Sequence, residues 1–164
     1  MAFKFLMDYN WRILRGVDKM KVTTSRFGEI EIEEEDIVAF PKGLPGFDSY
    51  TKYVIVSPEQ DEPFAYLQSL QDKDLVFIIT DPFLFYPEYD FELSESAVAE
   101  LGIESPGNVL VRSIISIPNE LDQATINLVA PIIINGETRL GKQVVLGKTP
   151  YQTRHPLFAA VESK

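Results

Sequence analysis

Apolar and polar positions alternate in short runs along most of this chain, and the usual period is two. Glu29–Glu33 sets Ile30 and Ile32 against glutamates, and with Lys21–Arg26 before it reads as a hairpin turning at Gly28. Ile37–Phe40, Tyr53–Val56 and Phe64–Leu70 are further strands, the last two around the polar loop 57–63. Leu75–Ile79 is a continuous apolar run, the signature of a strand buried on both faces. Asn108–Ile117 is the longest run and is apolar on both faces, which places it centrally. Thr125–Ala130 turns Ile126, Leu128 and Ala130 inward, and Pro131 then marks a bulge or an edge because it has no N–H to donate. Asn135-Gly136 between Ile132–Ile134 and the following residues is a strong hairpin signal, and Gln143–Leu146 closes the set.

Two stretches depart from this period. Leu93-Ser-Glu-Ser-Ala-Val-Ala-Glu-Leu-Gly102 reads as a short helix, with Ser94 as N-cap, Leu93 and Val98 as a hydrophobic staple and Gly102 as C-cap. Phe3, Met7, Trp11 and Leu14 fall at helical spacing in residues 1–19, which reads either as a docking helix or as an extension upstream of Met20. The resulting division is an N-terminal extension (1–19), one domain (20–158) and a tail (159–164). Some ten short strands with one short α-helix predict a mainly β fold: a small, closed or nearly closed antiparallel β-barrel-like domain or a sandwich.

The stretch from 75 to 93 is the focus of the domain. After the buried run it breaks at Thr80-Asp81-Pro82, continues as Phe83-Leu84-Phe85-Tyr86-Pro87, and then alternates Tyr89, Phe91 and Leu93 against Asp90 and Glu92, the pattern of a half-buried strand. The two prolines keep the aromatic run out of a central strand, so its rings belong to an edge or loop. A second corner, Pro41-Lys42-Gly43-Leu44-Pro45-Gly46-Phe47, carries apolar Leu44 and Phe47 on turn chemistry.

Charge and chemistry narrow the function. The chain of 164 residues carries a formal charge of −10. Four cations and two anions leave residues 1–19 at +2 and the rest at −12. Phosphate binding needs clustered Lys and Arg, so direct nucleic-acid contact is not expected; a basic protein partner suits the field better. There is no cysteine, a single histidine (His155), no apolar run of membrane length and no signal-peptide core. The expectation is a cytoplasmic protein with no cofactor and no metal. No Gly-x-Ser-x-Gly elbow and no phosphate-binding glycine loop occur. Asp81, Glu88, Asp90 and Glu92 among aromatics are the one enzyme-like feature, since paired carboxylates hydrolyse glycosides. Asp90 and Glu92 alternate with buried positions and Asp81-Pro82 starts turns, so no enzyme is expected. His155 reads as a terminal surface residue. Aromatics on proline-broken loops point instead to a protein interface.

The ordered motifs Glu29–Ile32, Ile37–Phe47, Pro63–Ser69, Thr80–Phe83, Tyr89–Leu93, Asn127–Asn135 and Gly141–Leu146 resemble the FliW family of flagellar assembly factors, over about Met20 to Leu157. The resemblance implies a small β-barrel-like fold without catalysis. It implies two protein partners: flagellin, bound in the cytoplasm, and the translational repressor CsrA, bound and antagonised once flagellin has been exported, so that the flagellin messenger is translated. The alternative is an export chaperone that shields flagellin and has no regulatory role. Loop placement and charge make Leu44, Phe47, Phe83 and Tyr86 the expected apolar anchors, and Glu33, Glu34, Asp81 and Asp90 the expected acidic field.

Overall fold

The fold is built from one closed ring of strands, seen in a computed structural model that describes residues 19–58 and 62–158. The possible docking helix and the tail therefore lie outside the described residues. A hairpin of β1 (Met20–Thr24) and β2 (Gly28–Ile32) comes first, turning at Gly28 with φ +68° as the sequence predicts. It forms its own two-stranded sheet. The turn is pinned to the body by Ser25 N–H on the Lys73 carbonyl at 3.0 Å, and by Phe27 and Arg26 on Tyr66.

Seven strands then close on themselves. Antiparallel neighbours β3 (Ile37–Ala39), β4 (Lys52–Val56), β5 (Phe64–Ser69), β6 (Val76–Thr80) and β7 (Val109–Ser116) follow in chain order. The other edge of β7 takes both β8 (Thr125–Ile126) and β9 (Ile132–Asn135), and β10 (Leu140–Gln143) joins β9 to β3. That last junction, Leu140 beside Ala39, is parallel; every other pairing in the ring is antiparallel. β11 (His155–Pro156) adds to β8 outside the ring. Asn127–Pro131 separates β8 from β9 along one edge of β7, which is the break that Pro131 implies.

Closure gives the apolar alternation its meaning. Val38, Phe40, Leu44, Tyr53, Leu67, Ile79, Ile132 and Ile134 fill the barrel. Outward residues cover two flanks. Ile115, Ile126 and Leu128 pack beneath the aromatic corner (residues 81–93) and a C-terminal strap (residues 151–158). Ile133 and Val144 pack beneath the helix.

The helix, α1 (Glu95–Leu101), forms where expected. Ser94 Oγ accepts the Ala97 N–H at 3.1 Å, and Gly102 leaves the helix at φ +65°. Two turns do not persist alone, so Ala97 and Leu101 bury against the sheet. Replacing Ser94 by alanine removes the cap and is expected to cost about 1 kcal/mol in urea unfolding.

Several expected strands differ. Residues 89–93 keep their alternation, with Tyr89 buried and Asp90 and Glu92 exposed, but they are not a strand. Tyr89, Phe91 and Leu93 pack on the flanks of the barrel, and the segment pairs with no strand among the described residues. Thr125–Ala130 shortens to two strand residues, although Ile126, Leu128 and Ala130 are all buried, Ile126 and Leu128 under the aromatic corner rather than inside the barrel. Gln143–Leu146 is replaced by Leu140–Gln143, after which Val144 and Leu146 donate to the carbonyls of Pro131 and Val129 without forming a named strand. The Asn135-Gly136 hairpin exists, but Asn135 ends a strand and the loop is residues 136–139, with Arg139 at φ +59°.

Candidate functional site

The site grows from the two prolines at 82 and 87. Pro82 has no N–H to donate and its φ suits the first position of a turn, so a 3-10 turn runs over Pro82–Leu84. Asp81 caps it: its Oδ1 accepts the Phe83 N–H at 2.9 Å. The Tyr86 N–H returns to the Pro82 carbonyl at 2.9 Å, and the Tyr89 N–H to the Tyr86 carbonyl at 2.9 Å. This double turn faces alternate rings in opposite directions. Phe83 and Leu84 are held outward, 40% and 62% exposed. Phe85 turns in and packs on Phe64 and Phe158.

Tyr89 is the pivot. It is buried, donates its hydroxyl to the Leu128 carbonyl at 2.7 Å, and contacts Phe83, Phe91 and Tyr151 with ring centroids 4.7–5.6 Å apart. Burial, and secondarily Tyr151, push its ionisation well above the usual phenol range, so it remains a donor at physiological pH. The C-terminal strap forms the other wall. The Tyr151 hydroxyl accepts the Asp90 N–H at 3.0 Å, and the Tyr86 hydroxyl donates to the Pro156 carbonyl. His155 is half-buried rather than a free surface residue. Its ring lies against Tyr86 and Tyr151, and its Nε2 accepts the Gln152 N–H at 2.7 Å.

Beside the pivot is an open depression of about 540 Å³ bounded by Phe91, Val145, Tyr151, Asp90 and Glu92. Val145 is 69% exposed there. Phe83 and Phe91 thus lie against one buried tyrosine, with exposed Leu84 beside Phe83 and Val145 across the depression, whose rim carries Asp90, Glu92 and Lys148. Apolar groups at the centre with charge at the rim is the anatomy of a protein interface.

The structure brings together only part of the expected set. Phe83, Tyr86, Asp81 and Asp90 meet at this corner. Leu44 does not serve as a surface anchor: it is 1% exposed and part of the barrel core, because the Leu44–Phe47 bridge folds the loop back on itself. Phe47 is half-buried on the same core, edge-on to Phe77 at 5.3 Å. Glu33 and Glu34 sit at a separate 3-10 turn (Glu34–Asp36), close to Arg139, which donates to the Asp36 carbonyl. Leu84, Phe91 and Val145 were not legible as site residues. Leu84 could have been found from its place between two prolines. Val145 could not, because its run reads as an ordinary strand.

Fold and corner together define a small, acidic, closed-barrel protein that presents an aromatic surface. The FliW protein family profile matches residues 21–157. Flagellar assembly factor FliW of Alkaliphilus metalliredigens is 42% identical over 144 residues, covering 87% of this chain and 89% of its own. The FliW of Natranaerobius thermophilus is 41% identical over 140 residues, covering 85% of this chain and 93% of its own. A crystal structure of the flagellar assembly factor FliW superposes with a TM-score of 0.80 at 40% identity, over 85% of this chain and 97% of that one. The chain belongs to the FliW family of flagellar assembly factors. No described helix is long and apolar enough to cross a membrane.

Proposed function

We propose that this chain acts in the cytoplasm, without catalysis, by exchanging protein partners. It binds flagellin; when free, it binds CsrA and lifts repression of the flagellin messenger. The observation that carries this reading is the exposed aromatic corner on a strongly acidic barrel of the FliW family. Exposed Phe83 and Leu84 give an apolar partner segment something to cover. The acids Asp81, Asp90 and Glu92, with Glu33 and Glu34 elsewhere on the surface, give a field that attracts cations. A repressor that holds RNA must carry cationic side chains for the phosphates, so it is drawn to such a field.

Titration calorimetry tests the exchange: the chain against CsrA, against flagellin, and against CsrA with flagellin already bound. Binding of CsrA that saturating flagellin abolishes supports it. Binding of flagellin alone reduces the protein to an export chaperone. The corner itself is tested by Phe83→Ala combined with Leu84→Ala. Both side chains are exposed, so the melting temperature is expected to hold while affinity for flagellin falls about tenfold or more. Unchanged affinity removes the corner from the interface.

A further inference from the structure

Arg112 is a half-buried cation on β7, the strand against which the turn of this corner lies; exposed Lys148 lines the depression on the corner's other side. In β7 Arg112 shares a face with Leu110 and Ile114, both packed on the barrel core, and pairs across the ladder with fully buried Ile132. On its other side the register runs Ile79–Ile114 and Thr80–Ser113, so the next position sets Asp81 opposite Arg112. The 3-10 turn bearing Phe83 and Leu84 lies against this same strand. A guanidinium has five N–H donors in a planar fork. Here Nη1 donates to the Val111 carbonyl at 2.7 Å, and among the described residues the guanidinium makes no other hydrogen bond and no ion pair. The Asp81 carboxylate caps the turn, its Oδ1 accepting the Phe83 N–H, and forms no ion pair with Arg112.

Burial lowers the guanidinium's affinity for its proton, and the Asp81 charge offsets this only in part. Arg112 is therefore a half-desolvated cation whose charge the fold does not match with a contact partner. Such a group costs stability in the free protein and strengthens binding when a carboxylate arrives, because the forked pair is charge-assisted.

We infer that Arg112 is the polar anchor of the aromatic corner, and that it pairs with an acidic side chain on the partner segment whose apolar residues cover Phe83 and Leu84. This rests on the proposed binding of flagellin, and it assigns that acidic side chain to flagellin. The other proposed partner, as an RNA binder, meets the corner with cations, for which Asp90 and Glu92 are the complement and Arg112 is not. The two partners would then read opposite charges within one surface.

The test uses flagellin itself, the full-length chain and its Arg112→Met and Arg112→Lys variants. Methionine keeps the unbranched stem but removes the charge. Arg112→Met is expected to melt at or above the wild-type temperature and to bind flagellin about tenfold or more weakly. Its affinity is also expected to depend less on salt between low and physiological ionic strength, since an ion pair has been deleted. Arg112→Lys, which keeps a charge without the fork, is expected to fall between the two. A wild-type chain that binds flagellin while Arg112→Met binds it with the same affinity and salt dependence overturns the inference and leaves the proposed function standing. A wild-type chain that does not bind flagellin overturns the proposed function itself.

Discussion

Replacing Asn135 by aspartate is expected to lower the unfolding free energy by about 3 kcal/mol at neutral pH, a loss that shrinks on acidification. Asn135 is 3% exposed and uses both ends of its amide. Nδ2 donates to the carbonyls of Leu101 at 2.9 Å and Gly102 at 3.1 Å, the last turn of α1 and its cap. Oδ1 accepts the Glu137 N–H at 2.9 Å, with the Thr138 N–H at 3.5 Å. One side chain thus ties the end of the helix to the β9–β10 loop. Those carbonyls are among the orphans that every helix C-terminus must satisfy. A carboxylate keeps the acceptor but sets negative charge against two carbonyl oxygens and donates nothing. When protonated it can donate once, so the penalty eases as the pH falls through the carboxylate range. Urea unfolding of Asn135→Asp at pH 7 and at acidic pH, against wild type at the same pH values, checks both the size and the sign. A penalty that does not depend on pH would contradict the assigned role of Nδ2.

Replacing Gly43 by alanine is expected to cost about 3 kcal/mol or more, with a fall of about 10 °C in melting temperature. Gly43 sits at φ +66°, where side chains are strained. A Cβ there would also lie 2.6 Å from the Phe47 carbonyl oxygen and 2.7 Å from Asp48 Cα. Those are backbone atoms, fixed by the Phe47 N–H on the Leu44 carbonyl at 2.7 Å, so they cannot move without opening the loop. Opening it would withdraw Leu44 from the core. Gly46 provides the internal control: it has φ +87° but nothing within 4 Å of a Cβ, so Gly46→Ala carries strain without collision and should cost about 1 kcal/mol. Differential scanning calorimetry of the two variants separates the terms. Equal losses would show that the collision is relieved in solution.

Both residues show where local reading stops. Asn-Gly in the sequence signals a hairpin, and a hairpin is there, because Gly136 follows a strand of Ile132, Ile133 and Ile134 that has to reverse. The job that makes Asn135 important involves Leu101, thirty-four residues away. Leu44 illustrates the opposite error. An apolar residue between two glycines and beside a proline looks displayed, yet the isolated bridge to Phe47 turns it inward. The helix, in contrast, was fully legible, since Ser94, Leu93, Val98 and Gly102 act within a few residues of one another.

The corner was half legible. Pro82 and Pro87 announced an aromatic run outside the sheet, and Asp81 announced the turn that starts it. Which rings point out is settled by the strap. Tyr86 and Phe85 are held by Pro156 and Phe158, leaving Phe83 and Leu84 exposed. The period of two at Tyr89, Phe91 and Leu93 reports burial correctly and pairing wrongly, because alternation records which side faces the core, whereas a strand also needs a free neighbouring edge.

Taken alone, the sequence determined what is local and periodic: a mainly β chain, its long central strand, its capped helix, its first hairpin, its acidity and the family its motifs resemble. The tertiary structure alone decided the closure of β7 onto β9, the single parallel junction of β10 with β3, the burial of Leu44, and the placement of Asp81 opposite Arg112. Local signals act over a few residues, through caps, turns and side-chain alternation. Ring closure and the placement of one unmatched cation depend on strands brought together from distant parts of the chain, and no local spacing encodes that.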